Sequence, residues 1–218
     1  MEKGTFYVVE GLDGCGKGTQ IELLKQHLEQ NGRAVLVVAE PGQTVIGTEI
    51  RRILKSTEYP RTPITELLLF AASRREALTE VAIPALDAGW DVIYDRFVWS
   101  TRAYQGAGLG IPDEVAQVEE LVWSGLDDYR PDVVIYLDCS VETALERRRN
   151  ATGMDMIERR GSEFFKRVCN EFRAMFTSEA MGLDQTAAAC VVVNAEAPIE
   201  DVQKELLSKL AELEVRCG

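Results

Sequence analysis

Histidine is almost missing from this chain of 218 residues: His27 is the only one, which argues against a mechanism built on a histidine base. It falls inside a helical pattern and reads as a surface residue. The five cysteines (Cys15, Cys139, Cys169, Cys190, Cys217) are odd in number, widely spaced and without a CxxC pair, so neither a disulfide framework nor a zinc site is indicated. They read as reduced thiols, with Cys139 and Cys190 packed beside apolar runs. No apolar run approaches the ~18 residues of a membrane span. The start, MEKGTFYVVE, passes from charge straight into a strand-like segment, unlike a signal peptide. The expectation is a soluble, cytoplasmic protein. A formal net charge of −12 argues against broad attraction to nucleic acid polymers or anionic membranes. Any anion site must therefore be a local concentration of positive charge.

Lysine is also scarce, with 7 against 17 arginines. The arginines fall in groups: Arg74 with Arg75, Arg96 with Arg102, Arg147 through Arg149, and Arg159 with Arg160. Arginine presents a planar fork that binds phosphate bidentately, where lysine is a point charge. A solvated helix face is the plain alternative for any one group, and it weakens where a group adjoins a motif.

Short, nearly continuous apolar runs recur at 6–9, 35–38, 92–94, 133–137 and 191–193, the pattern of strands buried on both faces of a parallel sheet. Helical periodicities lie between them, so the fold class is α/β. Ile21, Leu24 and Leu28 mark a first helix ended by Asn31 and Gly32. A long helix is expected over about 63–88, kinked at Pro84. Another opens after Ser140 as N-cap, and a terminal helix is expected over 199–213. The run Gly106–Gly110 (GAGLG) reads as a flexible loop within one domain, 1–218.

The most specific signal is GLDGCGKGTQ, Gly11, Leu12, Asp13, Gly14, Cys15, Gly16, Lys17, Gly18, Thr19 and Gln20. It follows an expected strand and opens a helix, the context in which Gly-xxxx-Gly-Lys cradles phosphate. Backbone N–H groups and the helix N-terminus surround the anion, and Lys17 reaches the terminal phosphates. Gly18 replaces the hydroxyl residue that often touches Mg²⁺. The run from Gly16 to Gln20 resembles the loop of adenylate kinases, in which the metal is held largely through water, as this tightly hydrated ion tolerates. Asp13, a carboxylate beside polyphosphate, reads as facing Mg²⁺-bound water or an acceptor sugar hydroxyl.

After the third strand comes DRFVWSTRAYQGAG, from Asp95 to Gly108. It resembles the DRxxxSxxAYQG segment of thymidylate kinases, the enzymes that phosphorylate dTMP with ATP. Glu10 to Gly14, Glu40-Pro41-Gly42, Leu69 to Arg74, Val134 to Asp138 and Asn194-Ala195 agree with that family in order and spacing. The resemblance spans nearly the whole chain. It implies a P-loop nucleoside monophosphate kinase fold of the bacterial type, a five-stranded parallel sheet flanked by helices, with a mobile lid over roughly 147–162 and a homodimeric assembly. It implies ATP and Mg²⁺ as cofactors. Phe70 would stack on thymine and Arg74 would bond its edge, with Ser100 and Gln105 in the same base pocket and Glu40 among the substrate-binding residues. Arg96 would hold the acceptor phosphate, and Tyr104 would occupy the place of a 2′-hydroxyl.

Several positions depart from the family pattern. Gly14-Cys15 leaves no arginine in the phosphate loop, and the lid pattern Asp-Arg-x-Glu reads Asp155-Met156-Ile157-Glu158. Arg159 or Arg149 would then supply the lid charge. Ala39 and Gln43 also differ. A kinase of other nucleoside monophosphates, such as dUMP or dGMP, and an ATP-binding protein with little kinase activity stay open on the sequence alone.

Overall fold

The computed structural model describes residues 3–148, 160–177, 187 and 189–217, the last four as backbone only. Five parallel strands, β1 (Phe6–Gly11), β2 (Val35–Ala39), β3 (Asp91–Asp95), β4 (Val133–Asp138) and β5 (Ala189–Asn194), form one sheet in the order β2-β3-β1-β4-β5. All five lie where the apolar runs predict them. β1, at the centre, is buried along its whole length, because helices cover both faces of a parallel sheet.

This order fixes which loops meet. β1 pairs with β3 so that Val9 lies opposite Asp95, and β2 pairs with β3 so that Ala39 also faces Asp95. The segments starting at Glu10, Glu40 and Arg96 therefore emerge side by side at the carboxyl edge of the sheet. On the other side, Asp138 of β4 pairs with Asn194 of β5, which brings Ala195 to the same edge.

The first helix, α1 (Lys17–Gln30), ends at Asn31 and Gly32 as expected, and α2 (Val45–Lys55) is capped by Thr44, whose side chain accepts from the Gly47 N–H. The long helix departs from a simple kink at Pro84. It runs as α3 (Pro63–Ala77), widens into a π segment at Leu78–Ala82, and resumes as α4 (Ile83–Asp87). Pro84 has no N–H to donate and its ring crowds the carbonyl four residues back, and the widened turn just before it relieves both conflicts.

A second correction concerns the expected flexible loop at Gly106–Gly110. After α5 (Val98–Thr101) the chain forms a π segment from Arg102 to Gly108, with Ala103, Tyr104, Gln105, Gly106 and Gly108 buried. Gly108 is needed for packing: a Cβ there would lie 2.5 Å from the Phe164 ring of α8 (Gly161–Met175). Its carbonyl accepts from Arg167 at 2.8 Å, so the glycines bring α8 close to the site.

The chain continues through α6 (Pro112–Trp123) and α7 (Val141–Arg148) and closes with α9 (Ile199–Cys217). Ser140 caps α7, accepting from the Thr143 N–H at 3.2 Å. An aromatic cluster anchors the core: Phe97 meets Phe6, Tyr94 and Trp123 edge-on, and Tyr136 stacks on Phe176 with centroids 4.6 Å apart. Cys15, Cys139 and Cys169 are buried thiols and Cys190 is half-buried. Among the described residues no helix is long and apolar enough to cross a membrane. Most of the expected lid, with Arg149, Met156 and Arg159, lies outside the described residues.

Candidate active site

The loop between β1 and α1 bends around a hollow. Gly14 takes φ 92°, and a Cβ there would clash with the Ala144 carbonyl. No side chain fits without moving α7, which explains physically why this loop stays small. Lys17, buried at the start of α1, curls back so that its ammonium donates to the carbonyls of Gly11 (3.2 Å) and Leu12 (3.1 Å).

Arg96 follows β3 with φ 72°, a left-handed conformation that a non-glycine residue holds only when its surroundings dictate it. Those surroundings are on view. Its guanidinium donates to the Gly11 carbonyl (3.0 Å), to Ser100 Oγ (3.1 Å) and to Asp13 Oδ1 (2.7 Å). Glu10 is fully buried beneath and accepts from the Phe97 N–H (2.7 Å), the Ser100 N–H (3.0 Å) and Ser100 Oγ (2.6 Å). Burial raises the Glu10 carboxyl, against the pull of Arg96 and these bonds. For Asp13, burial would also raise the carboxyl. The positive charges of Arg96, Lys17 and Arg148, with the Tyr104 hydrogen bond, win and hold it well below the usual carboxylate range.

Tyr104 is wedged edge-on between Phe164 and Phe172, and its hydroxyl donates to Asp13 Oδ2 at 2.9 Å. Glu40 and Arg74 form a buried two-point pair, Nε to Oε2 at 2.9 Å and Nη2 to Oε1 at 2.6 Å. Arg74 Nη2 also reaches the Phe97 carbonyl (3.0 Å) and Thr101 Oγ1 (2.6 Å). Gln105 donates to Glu66 at 2.9 Å. Phe70 is half-buried rather than packed in the core, and its ring borders open space.

These segments meet at one cavity of about 780 Å³. Asp13 through Thr19 line its middle; Glu40, Phe70, Arg74, Arg96, Ser100, Tyr104 and Gln105 line it toward β2 and α3. Gly11 and Leu12 support the loop through the carbonyls that hold Lys17. The far end, toward β5, is formed by Gln20, Arg147 and the 195–199 turn. Arg147 steadies that turn by donating to the Ala195 carbonyl at 2.7 Å. Sheet order accounts for this layout: the phosphate loop follows the central strand, with one subsite on either side.

Sequence reasoning missed several members of the site. Glu66 sits four residues before Phe70 and eight before Arg74, a helical spacing that places all three on one face of α3. Asp95 borders the cavity, and its Oδ1 is buried without a hydrogen-bond partner. Among the described residues no cluster of three or more metal-ligating side chains exists.

Two subsites that meet at one phosphate loop make the arrangement of a P-loop nucleotide kinase. Comparison with known proteins narrows the class. The model of the family described as thymidylate kinase matches residues 9–206. The thymidylate kinase of Chlorobaculum parvum is 38% identical over 216 residues, covering 94% of this chain and 95% of that protein. That of Caldanaerobacter subterraneus subsp. tengcongensis is 42% identical over 168 residues, 76% of this chain and 78% of the relative. That of Francisella tularensis subsp. novicida is 34% identical over 203 residues, 92% of each. The chain belongs to the thymidylate kinase family.

Proposed function

We propose that the protein transfers the γ-phosphoryl group of ATP to dTMP, giving dTDP and ADP. The observation that carries this reading is a cavity in which a phosphate loop with Lys17 adjoins Arg96, whose guanidinium is fixed by the Gly11 carbonyl, Ser100 and Asp13, with Phe70 at its edge. The donor lies along the loop, with its base toward Gln20, Arg147 and the 195–199 turn. The acceptor base lies on Phe70.

The acceptor phosphate has a second pKa of about 6, so near neutrality it attacks without a protein base, in keeping with a cavity that no histidine lines. The protein aligns the reactants and meets the charge of the transferring group. Arg96 does this without reorganising, because Gly11, Ser100 and Asp13 already fix its guanidinium. Tyr104, wedged by two rings, blocks the position of a 2′-hydroxyl and selects deoxyribose. Mg²⁺ bound with ATP would supply charge neutralisation on the phosphates, and Asp13 and Asp95 are the carboxylates that would meet its water shell. Arg149 or Arg159 is the proposed source of lid charge over 147–162, within one kinase domain.

We further propose a cytoplasmic homodimer. Exposed Ile64 and Leu68 on α3 and Leu121 on α6, two helices packed on each other, support a covered face. A monomeric mass by light scattering would refute it. The activity is tested by the initial rate of ADP formation with Mg²⁺-ATP across dTMP, dUMP, UMP, dGMP, dCMP and AMP. A clear dTMP preference is expected. ATP binding with no turnover on any acceptor would make the chain a nucleotide binder instead.

A further inference from the structure

Glu66 is 1% exposed, yet it faces three donors: Arg160 Nη2 at 2.6 Å, Gln105 Nε2 at 2.9 Å and Arg61 Nε at 3.3 Å. A carboxylate between two guanidinium groups offers only acceptor sites. A glutamine amide is ambiguous by itself, since it can turn either its NH₂ or its oxygen to a neighbour. Beside Glu66 the ambiguity disappears, because only the NH₂ end satisfies both groups. Gln105 borders the cavity, and its Oε1 is the end left for a ligand.

Arg74 is constrained in the same way. Its Nε and Nη2 are engaged by Glu40, Phe97 and Thr101, while Nη1, a donor only, makes no hydrogen bond among the described residues. Next to Phe70 the cavity thus offers one acceptor and one donor of fixed polarity. A base with N3–H beside a C4 carbonyl matches both. Cytosine, with a bare N3 and an amino group, mismatches both.

We infer that Glu66 is a positioning residue for base selection, which locks the Gln105 amide with its oxygen toward the base and so excludes cytosine nucleotides. This rests on the dTMP kinase reading and adds to it the residue that sets the polarity of the pocket. Glu66 touches no substrate; it acts through Gln105. A site built to hydrogen-bond one edge discriminates strongly because the wrong edge leaves buried groups unpaired.

The test measures kcat/KM for dTMP, dUMP and dCMP in the wild type, Glu66→Gln and Glu66→Asp. Glutamine at 66 can donate or accept, so Gln105 is free to turn. The dTMP-to-dCMP ratio is expected to fall about tenfold or more, chiefly through KM, while the dTMP-to-dUMP ratio stays unchanged because those bases share the N3 and C4 edge. Glu66→Asp keeps the charge between Arg61 and Arg160 and withdraws the acceptor by one methylene. It carries the test if the glutamine variant does not fold, with an expected fall in the dTMP-to-dCMP ratio of about threefold. An unchanged ratio in the folded variants, or an equal proportional loss on all three substrates, would overturn the inference. Failure of the underlying reading shows differently, as absence of dTMP turnover in the wild type, and the inference falls with it.

Discussion

Glu40→Gln removes the charge opposite Arg74 while keeping the side chain's shape. Both partners are about 3% exposed, and they meet at 2.6 and 2.9 Å. Burial raises the Glu40 carboxyl even with Arg74 beside it, whereas Glu40 raises the Arg74 guanidinium despite its burial. The cost of taking such a pair out of water commonly offsets much of what the pairing returns, but half a pair is costly. Removing one partner of a buried ion pair typically loses about 3–5 kcal/mol. Arg74 keeps the Phe97 carbonyl and Thr101, and a glutamine oxygen still accepts, so the lower end applies, about 3 kcal/mol. For a chain of this length that is about 6–12 °C in Tm. Urea and thermal unfolding of the wild type, Glu40→Gln and Glu40→Gln/Arg74→Met measure it. The double variant is expected to lie within about 1 kcal/mol of the wild type, because no charge is left unpaired. A single variant within about 0.5 kcal/mol of the wild type would refute the reasoning, and so would a double variant less stable than the single.

Gly14→Ala is expected to lose about 1–3 kcal/mol of stability and to weaken ATP binding, read by calorimetry, because the new Cβ meets the Ala144 carbonyl in a left-handed conformation; unchanged ATP affinity would count against the fit described for this loop. Replacing Arg149 or Arg159 with alanine should lower the turnover number by about tenfold or more if that residue supplies the lid charge, and an unchanged value removes it from the role. Asp13 has a folded-state carboxyl held below 3.8, so the stability it contributes is fully present above the unfolded value and is lost as pH falls through the folded one. The stability difference between the wild type and Asp13→Asn should therefore be flat from about pH 8 to pH 5 and shrink below about pH 4. A difference that already declines between pH 7 and pH 5 would contradict the ion pair.

The parts of the site that were legible in sequence are those whose partners are close along the chain. The phosphate loop is a strand, a turn and a helix start within twenty residues, and glycine spacing in that context announces it. The arginine of DRFVWS is legible as a cavity residue because it follows a strand at the carboxyl edge of a parallel sheet. The burial of Glu10 and Glu66 was not: Glu10 is satisfied by Phe97 and Ser100, and Glu66 by Arg160, 94 residues away, so neither looks different in sequence from a surface charge. The π segment at Arg102–Gly108 was hidden for the same reason, since the contact between Gly108 and Phe164 that requires its glycine comes from a helix far along the chain. Proline pointed to a kink at residue 84, but the irregularity is a widened turn that precedes the proline and leaves no composition signal of its own.

The most direct test of the central claim follows the label from γ-labelled ATP incubated with Mg²⁺ and dTMP. The account predicts that the label appears in the terminal phosphate of dTDP, with none released as inorganic phosphate beyond the rate without acceptor. Label found only in inorganic phosphate, or retained in ATP while both nucleotides bind, would contradict it.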